Sequence, residues 1–401
     1  MNTLTLNTDD RKVYAFATMD ADIEATDDGI VIGYPVTVSY YGQLDDNLPE
    51  QTVSLVDVKV GSFKGLSPEE KARHILLTLS LEEEIGQMFI VRCPESGAAD
   101  IQAQYQFGGY ILFGRDFADK TVYGAAADIS SYQSASRLPM LIAVDEEGGT
   151  VNRVSRYKQY RFAPFASPQE LYALGGLSAV SGDAKGNCTL LSVLGINMNF
   201  APVCDVSTDP ADYIYARSFG QNADLTSEYV KTVVESMSGT GVGPVLKHFP
   251  GYGNNKDTHT GSAIDIRPLE AFTAGDFLPF EAGIKAGAGV VLVCHNMVRC
   301  MDDARPASLS PEVHRILRQE LGFAGVIITD DLSMAAITDF AGDKSAAVLA
   351  VLAGNDLLCC TDYAAQYAAV LEAAQSGDIP RTQIDASVSR ILCYKISLGI
   401  L

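Results

Sequence analysis

Asp257 and His259 stand two residues apart in a loop-forming stretch, Lys247-His248-Phe249-Pro250-Gly251-Tyr252-Gly253-Asn254-Asn255-Lys256-Asp257-Thr258-His259-Thr260-Gly261. Three glycines and a proline exclude a helix there, so the stretch leaves the end of the apolar run Gly243 to Leu246 as a loop. Within a turn the carboxylate of Asp257 is close enough to hold the imidazole of His259, raising its basicity and fixing its tautomer, as a proton shuttle requires. A second polar loop, Thr329-Asp330-Asp331-Leu332-Ser333-Met334, follows another apolar run. An isolated D-x-H is weak evidence, because a solvated surface pair reads the same way. Two such loops at the ends of two buried strands point to paired acid/base or covalent chemistry instead.

The chain carries no G-x-x-x-x-G-K-[ST] phosphate loop, no dinucleotide fingerprint followed by an acidic residue and no H-E-x-x-H. No CxxC pair exists among its eight cysteines, several of which sit in apolar runs and read as buried free thiols. No cofactor and no metal are therefore expected. Side-chain chemistry of the glycosidase kind needs one carboxylate to attack or stabilise the sugar cation and a second group to protonate the leaving oxygen. Asp330, near Lys and Arg side chains, stays ionised and fits the first role. His259, held by Asp257, fits the second, because an imidazole with an ordinary pKa of about 6.5 serves as donor and then as base at neutral pH.

The elements that position these residues are legible as patterns. From Leu66 onward, apolar strand-like runs alternate with helical stretches: Met88 to Val91, Tyr110 to Phe113, Met140 to Val144, Met198 to Phe200, Pro244 to Leu246, Val290 to Val293, Val326 to Ile328 and Asp356 to Cys359. Helical stretches include Leu225 to Ser238, Pro279 to Ala286, Pro311 to Leu321, Ser345 to Leu352 and Ile384 to Ile396. Ser67-Pro68-Glu69-Glu70 and Ser80-Leu81-Glu82-Glu83 are helix starts, with a capping serine and early acids. Eight β-then-α units predict an α/β chain with a (β/α)8 barrel over 66–401; a doubly wound open sheet is the alternative. A barrel collects active groups at its C-terminal strand ends. Arg115, Asp145, Lys247-His248, His295 and Asp330 follow the second, third, fifth, sixth and seventh runs in just that way.

Residues 1–62 differ. Leu4 to Leu6, Val13 to Thr18, Gly29 to Gly33, Val36 to Gly42 and Val53 to Val60 are short strand-like segments between Asp-rich turns. They predict a small all-β barrel or sandwich, an accessory module with no catalytic constellation. Its eleven acidic against three basic residues make much of its surface anionic.

Composition narrows the class. With 47% hydrophobic and 20% charged residues the chain is globular, and no apolar run reaches the roughly 18 residues of a membrane span. A net charge of −21 argues against a nucleic-acid partner. No secretory leader is visible. The acidic all-β module favours an extracytoplasmic or cell-surface form whose leader has been removed, with a cytoplasmic protein as the alternative. Nothing in the sequence fixes an oligomeric state.

Seven motifs in order carry a resemblance to glycoside hydrolase family 3, in its N-acetylglucosaminidase branch. They are Gly108 to Phe113, Ile142 to Gly149, Asn199 to Val203, Arg217 to Gly220, the Lys247 to His259 loop, Arg305 to Ser310 and Thr329 to Met334. The resemblance implies a retaining exo-β-N-acetylglucosaminidase acting on peptidoglycan fragments or amino-sugar oligosaccharides. It implies Asp330 as nucleophile, His259 as acid/base with Asp257 as its partner, and Asp145, Arg153, Arg217, Lys247 and His248 as groups that hold the sugar. Arg153 and Arg217 read alternatively as barrel-rim salt bridges, His295 and Arg115 are open between binding and structure, and Asp331, Asp116 and His74 read as structural or solvated. Met334 reads as packing near the sugar. Two positions depart from the family pattern: Tyr252 stands where a histidine is usual and Thr150 where an arginine is common. The readings that compete are a β-glucosidase or β-xylosidase of the same family, an N-acetylglucosaminide phosphorylase, and a non-catalytic cell-wall carbohydrate-binding protein.

Overall fold

The computed structural model describes residues 3–19, 21–25, 29–255, 263–342 and 345–401. The chain divides into two compact units, Met1–Glu84 and Ile85–Leu401.

In the first unit, strands β1 (Thr3–Asn7), β2 (Val13–Ala17) and β5 (Glu50–Gln51) form one sheet in the order β1-β2-β5. Strands β3 (Asp22–Glu24), β4 (Val36–Tyr41) and β6 (Ser54–Val60) form another in the order β3-β6-β4. Leu4, Tyr14, Phe16, Val53, Leu55, Val58 and Val60 are buried together as their core. Along β6 Leu55, Val58 and Val60 point inward, but the alternation slips by one residue between Leu55 and Val58, where the register with β4 shifts between Ser39 and Tyr40. Gly29 to Gly33 is a correction: both glycines have positive φ, 79° and 87°, so the segment turns rather than extends. The third strand is instead Asp22–Glu24, three exposed residues without apolar alternation. Ser67 caps the helix Pro68–Leu76 through a capping box with Glu70, and Ser80 and Glu83 exchange the same two bonds at the next helix, Leu81–Gln87.

In the second unit, eight parallel strands form one sheet: β7 (Phe89–Arg92), β8 (Gly109–Leu112), β9 (Leu141–Val144), β10 (Met198–Asn199), β11 (Gly243–Phe249), β13 (Val290–Val293), β15 (Val326–Thr329) and β16 (Leu358–Cys360). The order runs β15-β13-β11-β10-β9-β8-β7-β16. A parallel bridge between Ile328 and Leu357 joins the two ends, so the sheet closes as the predicted barrel. Each strand coincides with an apolar run in the sequence, because barrel strands are buried on both faces and need no alternation. A short outer pair, β12 (Ile264–Asp265) with β14 (Met297–Val298), lies beyond the ends of β11 and β13. Helices alternate with the strands, among them Ala223–Met237, Phe277–Lys285, Ala346–Ala353 and Arg381–Ser397. The predicted 311–321 helix is an α-helix, Pro311–Arg315, running into a π-helical turn, Ile316–Glu320. No helix among the described residues is long and apolar enough to cross a membrane.

One core contact has a measurable consequence. Lys395 is fully buried, and its Nζ donates to Gln87 Oε1 at 2.7 Å, a neutral acceptor. Burial pushes its pKa down to about 7. The unfolded chain keeps this proton up to about pH 10.5, whereas the folded chain has released it above about 7. The unfolded state therefore binds more protons between those values, and stability rises with pH there, at most by about 1.4 kcal/mol per pH unit. Lys395→Met is expected to flatten that rise and to gain stability over the wild type below pH 7. Urea unfolding from pH 6 to 9 checks this; parallel curves for the two proteins would show that the buried lysine keeps its proton.

Candidate active site

The barrel opens at the C-terminal strand ends into a cavity of about 710 Å³. Arg92 from β7, Phe113 after β8, Asp145 after β9, Lys247 and His248 from β11, and Asp330 after β15 all line it. Arg153, Phe200, Tyr213, Arg217, Tyr252, Asp331 and Met334 come from the connecting loops. Six of the sequence-predicted residues, Asp145, Arg153, Arg217, Lys247, His248 and Asp330, thus share one cavity. Asp257 and His259 lie outside the described residues. The approach to them is anchored at Asn255, whose Nδ2 donates to Tyr252 O (2.8 Å) and to Asp265 Oδ2 (2.9 Å). Gly251, at φ 125°, passes so close to Asp276 that a Cβ there would meet its Oδ1 at 2.3 Å.

The floor of the cavity is a charge network. Lys247 is 2% exposed, and its Nζ lies 2.7 Å from Asp145 Oδ1 and also contacts Glu147 Oε1. Arg217 grips the same Glu147 with two donors, Nε to Oε2 at 3.0 Å and Nη2 to Oε1 at 2.7 Å. Burial alone would raise the Glu147 pKa, but the charges of Arg217 and Lys247 outweigh it and hold the carboxyl well below the usual range. The reverse holds for Arg217, where burial opposes the charge and Glu147 more than restores it. A buried ion group of this kind persists only when its members are mutually paired. Glu147 was not singled out from the sequence. The signal was there: three consecutive acids after a buried strand, in a chain whose buried Lys247 needs counter-ions.

Glu146 has a different task. Its carboxylate accepts the backbone N–H groups of Arg153 (2.8 Å), Val154 (2.7 Å) and Ser155 (3.1 Å), together with the Ser155 hydroxyl. That fixes the turn presenting Arg153, although burial still raises the Glu146 pKa against the pull of these bonds. The Arg153 guanidinium lies 3.9 Å from Asp145 and 5.6 Å from the Phe113 ring centre, and Arg92 lies 4.7 Å from the same ring.

His248 is clamped on both ring nitrogens. Nδ1 is 2.7 Å from Asp205 Oδ2, and Nε2 is 3.2 Å from Arg217 Nη2. Asp205 is itself buried and also accepts the Tyr252 N–H at 2.7 Å. Tyr252, at the position where the family pattern has histidine, sets its ring edge-on to the His248 ring with centroids 5.5 Å apart.

Asp330 is tied to β13 by its backbone N–H, which donates to Val293 O at 3.1 Å, and its Oδ1 accepts the Asp331 N–H at 2.8 Å. Asp331 organises the loop, accepting Ser333 N (2.9 Å), Ser333 Oγ (2.8 Å) and Thr361 Oγ1 (2.6 Å). His295 does not line the cavity; it is buried, with Nδ1 2.8 Å from Ser308 Oγ and Nε2 3.0 Å from Asp331 O, so it braces the Asp330 loop from behind. Arg115 pairs with Glu95 at 2.7 Å away from the cavity lining, and Asp116 accepts the Phe113 N–H at 2.7 Å. His74 belongs to the first unit, stacked near Phe63. Among the described residues no three His, Cys, Asp or Glu side chains are grouped to hold a metal ion.

Comparison with known proteins agrees with this geometry. The glycosyl hydrolase family 3 N-terminal domain matches residues 80–394. The beta-hexosaminidase LpqI of Mycobacterium tuberculosis is 33% identical over 332 residues, covering 79% of this chain and 83% of that protein. The solved structure of a glycoside hydrolase family 3 beta-N-acetylglucosaminidase from Paenibacillus sp. str. FPU-7 superimposes with a TM-score of 0.74 at 30% identity. It covers 80% of this chain, which spans only 63% of that longer one. The beta-N-acetylhexosaminidase from Beutenbergia cavernae gives a TM-score of 0.72 at 29% identity, over 79% of this chain and 98% of that one. The extent of these matches, across the whole barrel, means that the chain belongs to glycosyl hydrolase family 3.

Proposed function

We propose that this chain is a retaining exo-β-N-acetylhexosaminidase that removes terminal β-linked N-acetylglucosamine from peptidoglycan fragments or amino-sugar oligosaccharides. The observation that carries the reading is the single cavity in which Asp330 faces Asp145, Lys247, His248 and Arg217. The names of the relatives, beta-hexosaminidase and beta-N-acetylglucosaminidase, support the sugar. A pyranose brings a ring of hydroxyls into the site, each of which needs a donor or acceptor when buried, at a cost of about 1–3 kcal/mol if unpaired. A floor of alternating carboxylate and cation supplies both. In the first step Asp330 attacks the anomeric carbon as the bond to the leaving oxygen breaks, and His259 gives that oxygen its proton. In the second, His259 takes a proton from water, water attacks the same carbon, and Asp330 leaves as carboxylate. Asp257 orients and supports the imidazole. We take 66–401 as the catalytic domain and 1–62 as an accessory module.

The experiment is hydrolysis of 4-nitrophenyl β-N-acetylglucosaminide beside the matching β-glucoside, each with and without inorganic phosphate. The expected result is strong preference for the acetylated sugar and the same rate with phosphate present. Preference for the glucoside would place the chain in the glucosidase branch. A sugar 1-phosphate product would make it a phosphorylase, and binding without turnover would make it a carbohydrate-binding protein.

A further inference from the structure

We infer that Asp205 is a positioning residue that fixes the tautomer of His248 and makes this imidazole a hydrogen-bond acceptor toward the sugar cavity. The role deepens the function proposed above, and its geometry stands independently of the substrate. Asp205 lies six residues past the end of β10, 43 positions from His248, and its side chain has no exposure to solvent. Its Oδ2 is 2.7 Å from His248 Nδ1. An ionised carboxylate only accepts hydrogen bonds, so Nδ1 must carry the proton. On the other side of the ring, Nε2 is 3.2 Å from Arg217 Nη2. A guanidinium only donates, so Nε2 must offer its lone pair. The two neighbours impose the same answer from opposite sides. The alternative tautomer would set N–H against N–H at Arg217 and lone pair against carboxylate at Asp205.

Unlike the carboxylates and cations that line this cavity, the imidazole can take either hydrogen-bonding polarity at Nε2. Asp145 and Asp330 accept, and Lys247, Arg153 and Arg217 donate. With Nε2 fixed as an acceptor, a sugar hydroxyl that reaches His248 must donate its proton, sharing or taking over the lone pair that Arg217 Nη2 holds at 3.2 Å, and is left to accept from a neighbouring cation. Asp205 thus acts on the substrate through another residue. It also accepts Tyr252 N–H through Oδ1 at 2.7 Å, which links the ring's orientation to the loop that continues toward Asn255.

Asp205→Asn separates the two tasks. The amide oxygen keeps the bond to Tyr252 N–H, while the NH2 turned toward His248 gives up the 3.3 Å bond from the His248 backbone N–H, donates to Nδ1 and drives the proton to Nε2. The test is a long-range 1H–15N spectrum of 15N-histidine-labelled protein at about pH 8, where an ordinary imidazole has shed its second proton. The His248 signal is identified by its loss in His248→Gln. The expected result is a proton on Nδ1 and a bare Nε2 in the wild type, and the reverse in Asp205→Asn. KM for 4-nitrophenyl β-N-acetylglucosaminide should rise about tenfold to a hundredfold in the variant, the effect of mispairing one buried polar group. In a His248→Gln background the same change should add less than about threefold, because its intermediary is gone. A proton on Nε2 in the wild type overturns the inference, even if Asp205→Asn fails to fold. An unchanged tautomer in the variant, or an undiminished KM effect in the His248→Gln background, overturns it as well. Absence of any hydrolysis by the wild type would count against the proposed function instead, and the spectrum would still decide the tautomer.

Discussion

Asp330→Asn is expected to lower kcat for 4-nitrophenyl β-N-acetylglucosaminide by on the order of ten-thousandfold, the scale of loss when a covalent catalytic group is removed. The folded protein should persist. Asparagine has the same shape and keeps an Oδ1 acceptor for Asp331 N–H, and His295 continues to hold the Asp331 carbonyl from behind. An amide oxygen, however, is too poor a nucleophile to form the glycosyl ester. An N-acetyl sugar carries a rival nucleophile in its own acetamido oxygen, and some glycosidases use it. Azide distinguishes the two routes. In Asp330→Gly, the space left beside the anomeric carbon should admit azide, restore turnover and give a glycosyl azide of inverted configuration. A substrate that attacks itself would give no such rescue. Asp330→Asn with more than a tenth of the wild-type kcat would remove Asp330 from the chemistry.

The barrel was legible for a physical reason. Parallel strands buried on both faces must be nearly continuous apolar runs, so Val290–Val293 and Val326–Thr329 announce themselves, and the polar residues that end the runs gather toward the rim, although His295 after Val293 turns behind the Asp330 loop. The same rule located Asp145, Lys247 and Asp330. The rule weakens where one or both faces are exposed. Asp22–Glu24 pairs with β6 through its backbone while its three side chains stay in solvent, so it leaves no pattern to read. Gly29 to Gly33 has β-like content between turn signals, but positive φ at both ends is a backbone property that the intervening Ile30, Val31 and Ile32 do not reveal. In the site, single-residue reasoning found groups at strand ends but not their partners. Glu147 meets Arg217 across 70 positions, and Asp205 meets His248 across 43. Proximity at those separations is created by barrel closure. Asp205 lies six residues past the end of β10, whereas Asp145 directly follows β9, so the strand-end rule alone did not single it out.

Glu147→Gln is expected to be the most destabilising single change in the charge network beneath the cavity, by about 3–5 kcal/mol, the cost of removing one partner from a buried ion group. The side chain is 3% exposed, and both Lys247 and Arg217 rest on it. With a neutral amide in its place, Arg217 loses a charged partner on two donors, and Lys247 keeps only Asp145. The pH dependence follows from the sign of the shift. The folded pKa lies below the ordinary value of 4.5. The carboxylate therefore contributes its full stabilisation above about pH 4.5 and loses it as pH falls toward the depressed value. The gap between wild type and Glu147→Gln in urea unfolding should be widest at pH 7 and narrow near pH 3. A gap that is constant with pH would mean that Glu147 acts through shape rather than charge. Activity at pH 7 should fall about a hundredfold in kcat/KM as Lys247 and Arg217 lose their fixed positions, since small misplacements of binding groups carry penalties of that size. Asp330→Asn should show the opposite balance, a near-native unfolding curve and almost no turnover. Two carboxylates of one site would then be separated by measurement: Asp330, lining the cavity, by its effect on turnover, and Glu147, beneath it, by its hold on the cations Lys247 and Arg217.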